Sequence, residues 1–387
     1  MSLLEPIVAA TEELVAWRHD FHAHPELGFL EVRTSGIVAE KLASWGIEVH
    51  RGIGKTGVVG VLRGSGDSGR RIGLRADMDA LPIDEATNLP YRSTNPGVFH
   101  GCGHDGHTTM LLGAARYLAQ TRRFDGTVVF IFQPAEEGLG GARAMLADGL
   151  FARFPCDEIY GLHNSPVGPA GAIALRSGAA MAAADFFDLT ITGRGAHGAK
   201  PQQAIDSVMV AVALAQAMQT IVSRNVDPLK ATVVSITQIH AGSAYNVIPD
   251  GAMLSGTVRT FDEGMRALVR GRMRELAAGL AKAFGATIDV DIRDGFSALE
   301  NQQAYVDIVA DVAREIVGDV DLAPPRVMAS EDFADMLHAV PGAFFWLGAR
   351  PGPMLHNPSY LFDDAILPIG ASMLARIAER RASAAAA

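Results

Sequence analysis

The chain has 387 residues, of which 49% are hydrophobic and 20% charged, and its formal net charge is −10. That length exceeds one ordinary core and argues for two domains. The acidic balance, without a Lys/Arg run, excludes nucleic acid as a partner, and two cysteines, Cys102 and Cys156, exclude a disulfide scaffold.

In chain order, apolar spacing predicts helices over 14–23 and 36–45, strands over 58–62 and 72–74, a helix over 108–120, and strands over 128–132 and 158–162. Buried strands alternating with helices indicate an α/β sheet. Near Ala180 the pattern changes. A half-exposed strand over 186–192 is followed by a helix over 205–222, strands over 231–239 and 251–260, a helix over 263–284 and a strand over 287–292. Strand-helix-strand-strand-helix-strand is the ferredoxin-like order. The α/β character returns near Ala298, with a strand over 344–347 and a closing helix over 365–380. The expected organisation is therefore an α/β domain over 1–182 and 297–387, interrupted by an α+β domain over 183–296. The longest apolar segment, 208–218, is too short to span a bilayer and carries Gln216. The N-terminus lacks a cationic stretch leading into an apolar one, so a cytoplasmic location is expected. The 384–387 tail is expected to fray.

Acid and imidazole groups recur at the ends of the strand-like runs: Asp77, the Glu136-Glu137 pair and His163. Open α/β sheets bind ligands in the crevice beyond those ends. Cys102-Gly103-His104 lies in a glycine-rich loop before a helix, a spacing that lets a thiolate and an imidazole bite one ion. With Glu137, His163 and His356 the set exceeds what a buried cysteine or a helix cap needs. Adjacent acids usually mark a solvated loop, but Glu136 and Glu137 follow a buried strand and Pro134. One can bind a metal while its neighbour faces the bound water as a base. His19, His22 and His24 lie on or after an N-terminal helix and suit structural roles.

These motifs resemble the co-catalytic metallo-amidohydrolases that include bacterial hippurate hydrolases, N-acyl-amino-acid amidohydrolases and plant auxin-conjugate hydrolases. The resemblance spans nearly the whole chain. It runs from Trp17-Arg18-His19-Asp20-Phe21-His22-Ala23-His24-Pro25-Glu26-Leu27 through Leu74-Arg75-Ala76-Asp77-Met78-Asp79-Ala80-Leu81-Pro82, the Cys102 loop, Phe132-Gln133-Pro134-Ala135-Glu136-Glu137-Gly138 and Gly161-Leu162-His163. It ends with Ser330-Glu331-Asp332-Phe333 and Leu355-His356-Asn357-Pro358. It implies a zinc-exopeptidase-like α/β catalytic domain with an inserted ferredoxin-like lid and dimerisation domain. Two divalent metal ions, drawn from zinc, manganese, cobalt or nickel, would be held by Cys102, His104, Glu137, His163 and His356, with Glu136 as general base and then acid. In the inserted domain it implies that His197 reaches the substrate across a dimer interface, Asn246 binds the carbonyl oxygen and Arg259 binds the substrate carboxylate. Read from the residues alone, His197 could be a turn residue, Asn246 a turn cap and Arg259 an exposed strand charge.

The implied reaction is hydrolysis of N-acetyl- or N-benzoyl-type amino acids by a homodimer or homotetramer, with no membrane partner. A dipeptidase or exopeptidase with the same metals is the nearest rival. A thiol amidase using Cys102 as nucleophile would not need Glu137, His163 and His356, and a metal-storage protein would not need Glu136. Two positions depart from the family pattern: Gln202 stands where a His is common and Ser207 where a Pro is common. Both bear on substrate preference rather than on the chemistry.

Overall fold

The computed structural model describes residues 2–383, and the 384–387 tail lies outside them. The chain divides into two compact units. One takes the residues up to Gly178, Glu300–Pro325 and those from Asp332 onward; the other takes Ala179–Leu299 and Arg326–Glu331. The expected insertion over 183–296 did not include the last stretch. Its membership comes from the backbone: Val327 N–H donates to Ala180 O at 2.9 Å and Ala182 N–H to Val327 O at 3.1 Å. Hydrophobic periodicity carries no trace of such a pairing.

The first unit is built on an eight-stranded mixed sheet. Its order is Glu48–Ile53, Gly57–Arg63, Thr127–Gln133, Arg71–Asp77, Glu158–Ser165, Gly342–Gly348, Ile173–Ala174 and Val320–Asp321. The four central strands, from Thr127–Gln133 to Gly342–Gly348, run parallel; the strands that join them on either side pair antiparallel, and the outermost Val320–Asp321 pairs parallel with Ile173–Ala174. Parallel strands are covered on both faces, which explains why 128–132 reads as an unbroken apolar run; Val128, Phe130, Ile131 and Phe132 are wholly buried. Helices His104–Thr121 and Leu367–Ala382 contribute Leu111, Leu118, Leu374 and Ile377 to the same core.

The helix expected from 108 starts four residues earlier, at His104. Gly103 and Gly106 read as loop residues, yet Gly103 caps the helix with a φ of 91° and Gly106 sits in its first turn because a Cβ there would come within 2.1 Å of the Phe362 ring. Edge strand Glu48–Ile53 and helix Gln303–Ile316 were not resolved by the sequence reading. The edge strand carries His50 and Arg51 where an apolar alternation would be sought.

The second unit is a four-stranded antiparallel sheet ordered Thr232–Ala241, Gly251–Thr260, Ala183–Thr192 and Thr287–Phe296. With helices Ser207–Thr220 and Glu263–Phe284 it has the ferredoxin-like chain order. Phe187, Leu189, Val210, Leu214, Met218, Val269 and Met273 form its core. The helix from Ser207 continues through a π-turn over Ile221–Asn225. At 19 residues it is longer than the apolar segment expected from the sequence, and by length and composition it could cross a membrane. Its Val210, Ala211, Leu214 and Met218 are instead buried in this unit's core.

A buried charge cluster ties the helix Glu263–Phe284 to the sheet. Arg270 Nε donates to Asp185 Oδ2 at 2.7 Å and Arg266 Nε to Asp185 Oδ1 at 3.1 Å, with Asp185 1% and Arg266 4% exposed. Burial by itself would raise the Asp185 pKa, but the two guanidiniums outweigh it and hold the carboxyl below its ordinary value. A carboxylate with a depressed folded pKa stabilises above its unfolded pKa and loses that contribution as pH falls. Asp185→Ala is expected to cost about 3–5 kcal/mol at pH 7, measured by urea unfolding. The gap from the natural protein should narrow below about pH 4, and an equal gap at pH 7 and pH 3 would contradict this account.

Candidate metal centre

The five residues expected as ligands all lie in the first unit, and they converge. Ligand atoms of Cys102, His104 and His163 lie within 4.8 Å of one another, and so do those of Cys102, Glu137 and His356. Cys102 is the member common to both groups, so its sulfur stands between two places where an ion could sit. The loop reaches this position because Gly103 has no side chain: a Cβ there would lie 2.4 Å from Asn164 Oδ1. His356 is brought in from far along the chain by its own backbone, whose N–H donates to Gly101 O at 2.8 Å, and it adopts a φ of 64°. His163 lies within the strand Glu158–Ser165, not beyond its end as the sequence suggested.

The imidazoles are oriented as ligands. His163 Nδ1 lies 2.6 Å from Asn164 O and can only donate to it, which leaves the Nε2 lone pair facing Cys102 Sγ at 3.3 Å. His104 Nδ1 lies 3.3 Å from Asp79 Oδ1. Donating there, it leaves Nε2 free, and that nitrogen is buried without a hydrogen-bond partner. Glu137 Oε1 is also buried and makes no hydrogen bond of good geometry; it lies 3.9 Å from His104 Nε2 and within ion-pair reach of His356 Nε2 at 3.3 Å. Buried polar atoms without partners are rare. Two aimed at one space, beside a thiol, fit a divalent cation.

The electrostatics agree. Burial pushes the Cys102 thiol up, and Glu137 adds to the effect. Burial opposes a charged His104, yet Asp77 and Cys102 hold it well above its usual range. Hydrogen bonds to Cys102 and Glu137 push His356 up to about 10. These groups jointly demand positive charge, and a cation would supply it in place of protons.

Glu136 and Glu137 follow the strand Thr127–Gln133 and are set by Asp79, a residue to which the sequence reading gave no role. Asp79 Oδ1 accepts the Glu136 N–H and Oδ2 the Glu137 N–H, both at 3.0 Å. Carboxylate oxygens of Glu136 and Glu137 come within 4.8 Å of a His104 nitrogen and of each other. Asp77, expected at the strand-end crevice, is tied up instead: Arg75 Nη1 donates to it at 2.8 Å and His107 Nδ1 lies 2.6 Å away. His107 Nε2 in turn lies 2.6 Å from Asn164 Oδ1, and Asn164 Nδ2 donates to the Tyr360 hydroxyl at 2.5 Å. Only the spacing of Asp79 two residues beyond Asp77 could have hinted at its importance.

The histidines near the start do support the structure. His22 Nδ1 lies 2.8 Å from Asp105, the neighbour of His104, and His19 Nε2 lies 2.8 Å from Asp364. Among the described residues they join no group of ligand atoms close enough to share an ion.

In the second unit, a two-residue ribbon pairs His197 with Val247, and Gly198 N–H donates to Asn246 O at 2.8 Å, so His197 and Asn246 are neighbours. His197 Nδ1 accepts the Ala199 N–H at 3.0 Å, so a neutral ring carries its proton on Nε2. Arg259 hydrogen-bonds Ser330 Oγ. Among the described residues no carboxylate pairs with Arg259, and burial lowers its pKa from the ordinary value. Ser207 donates from Oγ to Pro249 O at 2.8 Å, anchoring the segment after Asn246. Gln202 lies exposed in a single 3₁₀ turn, Pro201–Gln203.

The model of peptidase family M20/M25/M40 matches residues 73–380. The hippurate hydrolase of Campylobacter jejuni is 44% identical over 98% of this chain and 99% of its own length. The thermostable carboxypeptidase 1 of Saccharolobus solfataricus is 38% identical, over 96% and 97%. The crystal structure of the YXEP protein of Bacillus subtilis, described as a dinuclear metal-binding peptidase of the M20 family, superposes with a TM-score of 0.84 at 35% identity and covers 96% of this chain and 98% of that one. With a family model that covers most of the chain and relatives that match almost from end to end, the chain belongs to peptidase family M20/M25/M40.

Proposed function

We propose that the chain hydrolyses the amide bond of N-acyl amino acids, releasing a carboxylic acid and a free amino acid, with two divalent cations as cofactors. The observation that carries this reading is Cys102 standing in two ligand groups at once, with the Glu136 carboxylate at their edge. Hippurate is itself an N-acyl amino acid, and the relative named for hydrolysing it is similar along almost its whole length. One cation would rest on Cys102, His104 and His163, the other on Cys102, Glu137 and His356. Thiolate, imidazole and carboxylate together suit zinc, manganese, cobalt or nickel. Bound there, the pair would acidify a water and polarise the amide carbonyl.

The protein's own groups do the rest. Glu136 accepts the proton of the attacking water and later delivers it to the departing amine. The Nε2–H of His197 and the Asn246 amide donate to the oxyanion, and Arg259 holds the substrate carboxylate. The second unit then serves as lid and dimerisation domain, with His197 completing the site of a neighbouring subunit in a homodimer or homotetramer. The carboxypeptidase relative favours a second reading, cleavage of a free peptide by the same site. Turnover of N-benzoyl- and N-acetyl-amino acids against free dipeptides separates the two.

A Cys102 nucleophile paired with His163 at 3.3 Å is the remaining enzymatic alternative. Burial works against it, because it raises the thiol and lowers the imidazole, so the ion pair such chemistry needs is disfavoured. Chelation is therefore expected to abolish hydrolysis, with activity restored by zinc, manganese, cobalt or nickel; full turnover by metal-free protein would revive the thiol reading.

Glu136→Gln should keep both metals and lower kcat by about 10²–10⁴-fold, whereas Glu137→Gln should lose metal first. Metal analysis beside single-turnover rates checks this, and equal metal loss in the two variants would refute the division of roles. Arg259→Ala should raise KM for N-acyl amino acids about tenfold or more. It should do little to an acyl amide lacking the carboxylate; equal effects on both substrates would remove Arg259 from carboxylate recognition.

A further inference from the structure

Among the described residues six non-glycines have a positive φ, and one of them, Ala135 at 54°, immediately precedes Glu136. A side chain disfavours this left-handed conformation, so something must hold it. Two more of the six, Phe29 at 65° and Lys55 at 75°, stack on each other, with Lys55 Nζ 3.9 Å from the Phe29 ring centroid. Between these strained points lies Glu31, wholly buried. Its Oε1 accepts the Ala135 N–H at 2.8 Å, and its Oε2 accepts the Thr56 hydroxyl at 2.5 Å. The segment before it lies against the same loop, since a Cβ on Gly28 would come within 3.0 Å of Ala135 Cα and 2.8 Å of Leu139 Cδ1.

Glu31 is not needed to start the helix that follows it. The first turn of Val32–Ser44 is served by Glu26, whose oxygens accept the Arg33 and Thr34 N–H groups at 2.9 and 2.8 Å. Nor does Glu31 belong to any group of potential metal ligands among the described residues. Burying a carboxylate is costly unless its bonds are used, and one of these two bonds holds the residue next to the proposed base.

We propose that Glu31 is a positioning residue for Glu136: by holding the Ala135 N–H it fixes the left-handed turn that aims the next carboxylate. This rests on the reading of Glu136 as the proton-transferring group. A small misplacement of a catalytic group can lower the rate by about 10²-fold without altering binding.

The test compares Glu31→Met, of similar length but unable to accept, with Glu31→Gln, whose Oε1 can accept the same N–H. In the metal-loaded enzyme with an N-benzoyl amino acid, Glu31→Met should lower kcat about 10–100-fold with KM little changed and both metals retained. Glu31→Gln should restore kcat to within about threefold of the natural enzyme. A purely structural role would lower the unfolding temperature and leave kcat of the folded fraction alone. An unchanged kcat in Glu31→Met, or Glu31→Gln as impaired as Glu31→Met, overturns the proposal. Should Glu31→Met not fold, Thr56→Val decides, because it frees the other end of the same carboxylate. A fall in kcat at constant KM then supports the proposal and an unchanged kcat overturns it. Glu136→Gln, run alongside, separates the two layers: if it retains turnover, the reading of Glu136 fails and this one with it, whereas an inactive Glu136→Gln beside a fully active Glu31→Met removes only the role of Glu31.

Discussion

The site depends on one carboxylate that touches neither proposed metal position. Asp79, 1% exposed, receives the N–H groups of two successive residues, Glu136 and Glu137, one on each oxygen. Two consecutive backbone donors converge on this anion where the chain turns beside a residue in the left-handed region. Ala135 is that residue, at a φ of 54°. With the backbone pinned, the two glutamates share an anchor and still differ in setting. Both reach His104, and Glu137 alone also joins Cys102 and His356. Asp79 further orients His104 through its Nδ1, so a single side chain links the glutamate loop to the first residue of the helix His104–Thr121.

Around this anchor the charge is arranged with little slack. Asp77, wholly buried, pairs with Arg75 and lies in hydrogen-bond reach of His107. The chain of bonds continues through Asn164 to Tyr360. Arg75 also donates to Gln133 at 2.8 Å and to Asp332 at 3.2 Å. Asp332 in turn accepts from Gln133 at 2.7 Å and from the Ala142 N–H at 2.9 Å. Those two residues bracket the glutamate loop, and the Ser330–Phe333 motif thereby has a physical use: it closes the loop at its base. Satisfied polar networks of this kind rigidify what they enclose. The buried atoms left without a well-formed hydrogen bond, His104 Nε2 and Glu137 Oε1, lie 3.9 Å apart beside the Cys102 groups.

The candidate ligands stood out in the sequence as a mix of soft, borderline and hard donors, and the fold through its two hydrophobic periods; the structure brings the candidates together. The helix over 263–284 and the strand over 251–260 match the structure to the residue. What escaped was whatever acts across the fold. Asp77 and Asp79 have the same composition and nearly the same address, yet one is paired inside the core and the other organises the site. Nothing local distinguishes them, because the distinction is made by Arg75 and His107 on one side and by two N–H groups nearly sixty residues away on the other. Glu31 and Asn164 escaped for the same reason. The start of the helix at His104 was hidden by glycines that serve close packing rather than a loop.

The two units differ in the kind of atom they offer. The first supplies lone pairs and negative charge: a sulfur, three imidazole nitrogens and two glutamates. The functional candidates of the second are donors: the Nε2 side of His197, whose Nδ1 accepts the Ala199 N–H, the amide of Asn246, and the guanidinium of Arg259. Hydrolysis of an acylated amino acid calls for both kinds. A cation and a base need acceptors around them, whereas a developing oxyanion and a carboxylate need donors. Placing the donors on a separate ferredoxin-like unit lets their spacing change without disturbing the ligands. Ser207 shows where such a change can enter: its hydroxyl bonds Pro249, three residues beyond Asn246, at a position where a proline could offer no hydrogen. That bond ties the start of the helix Ser207–Thr220 to the segment that carries Asn246, inside the second unit and apart from the candidate ligands of the first.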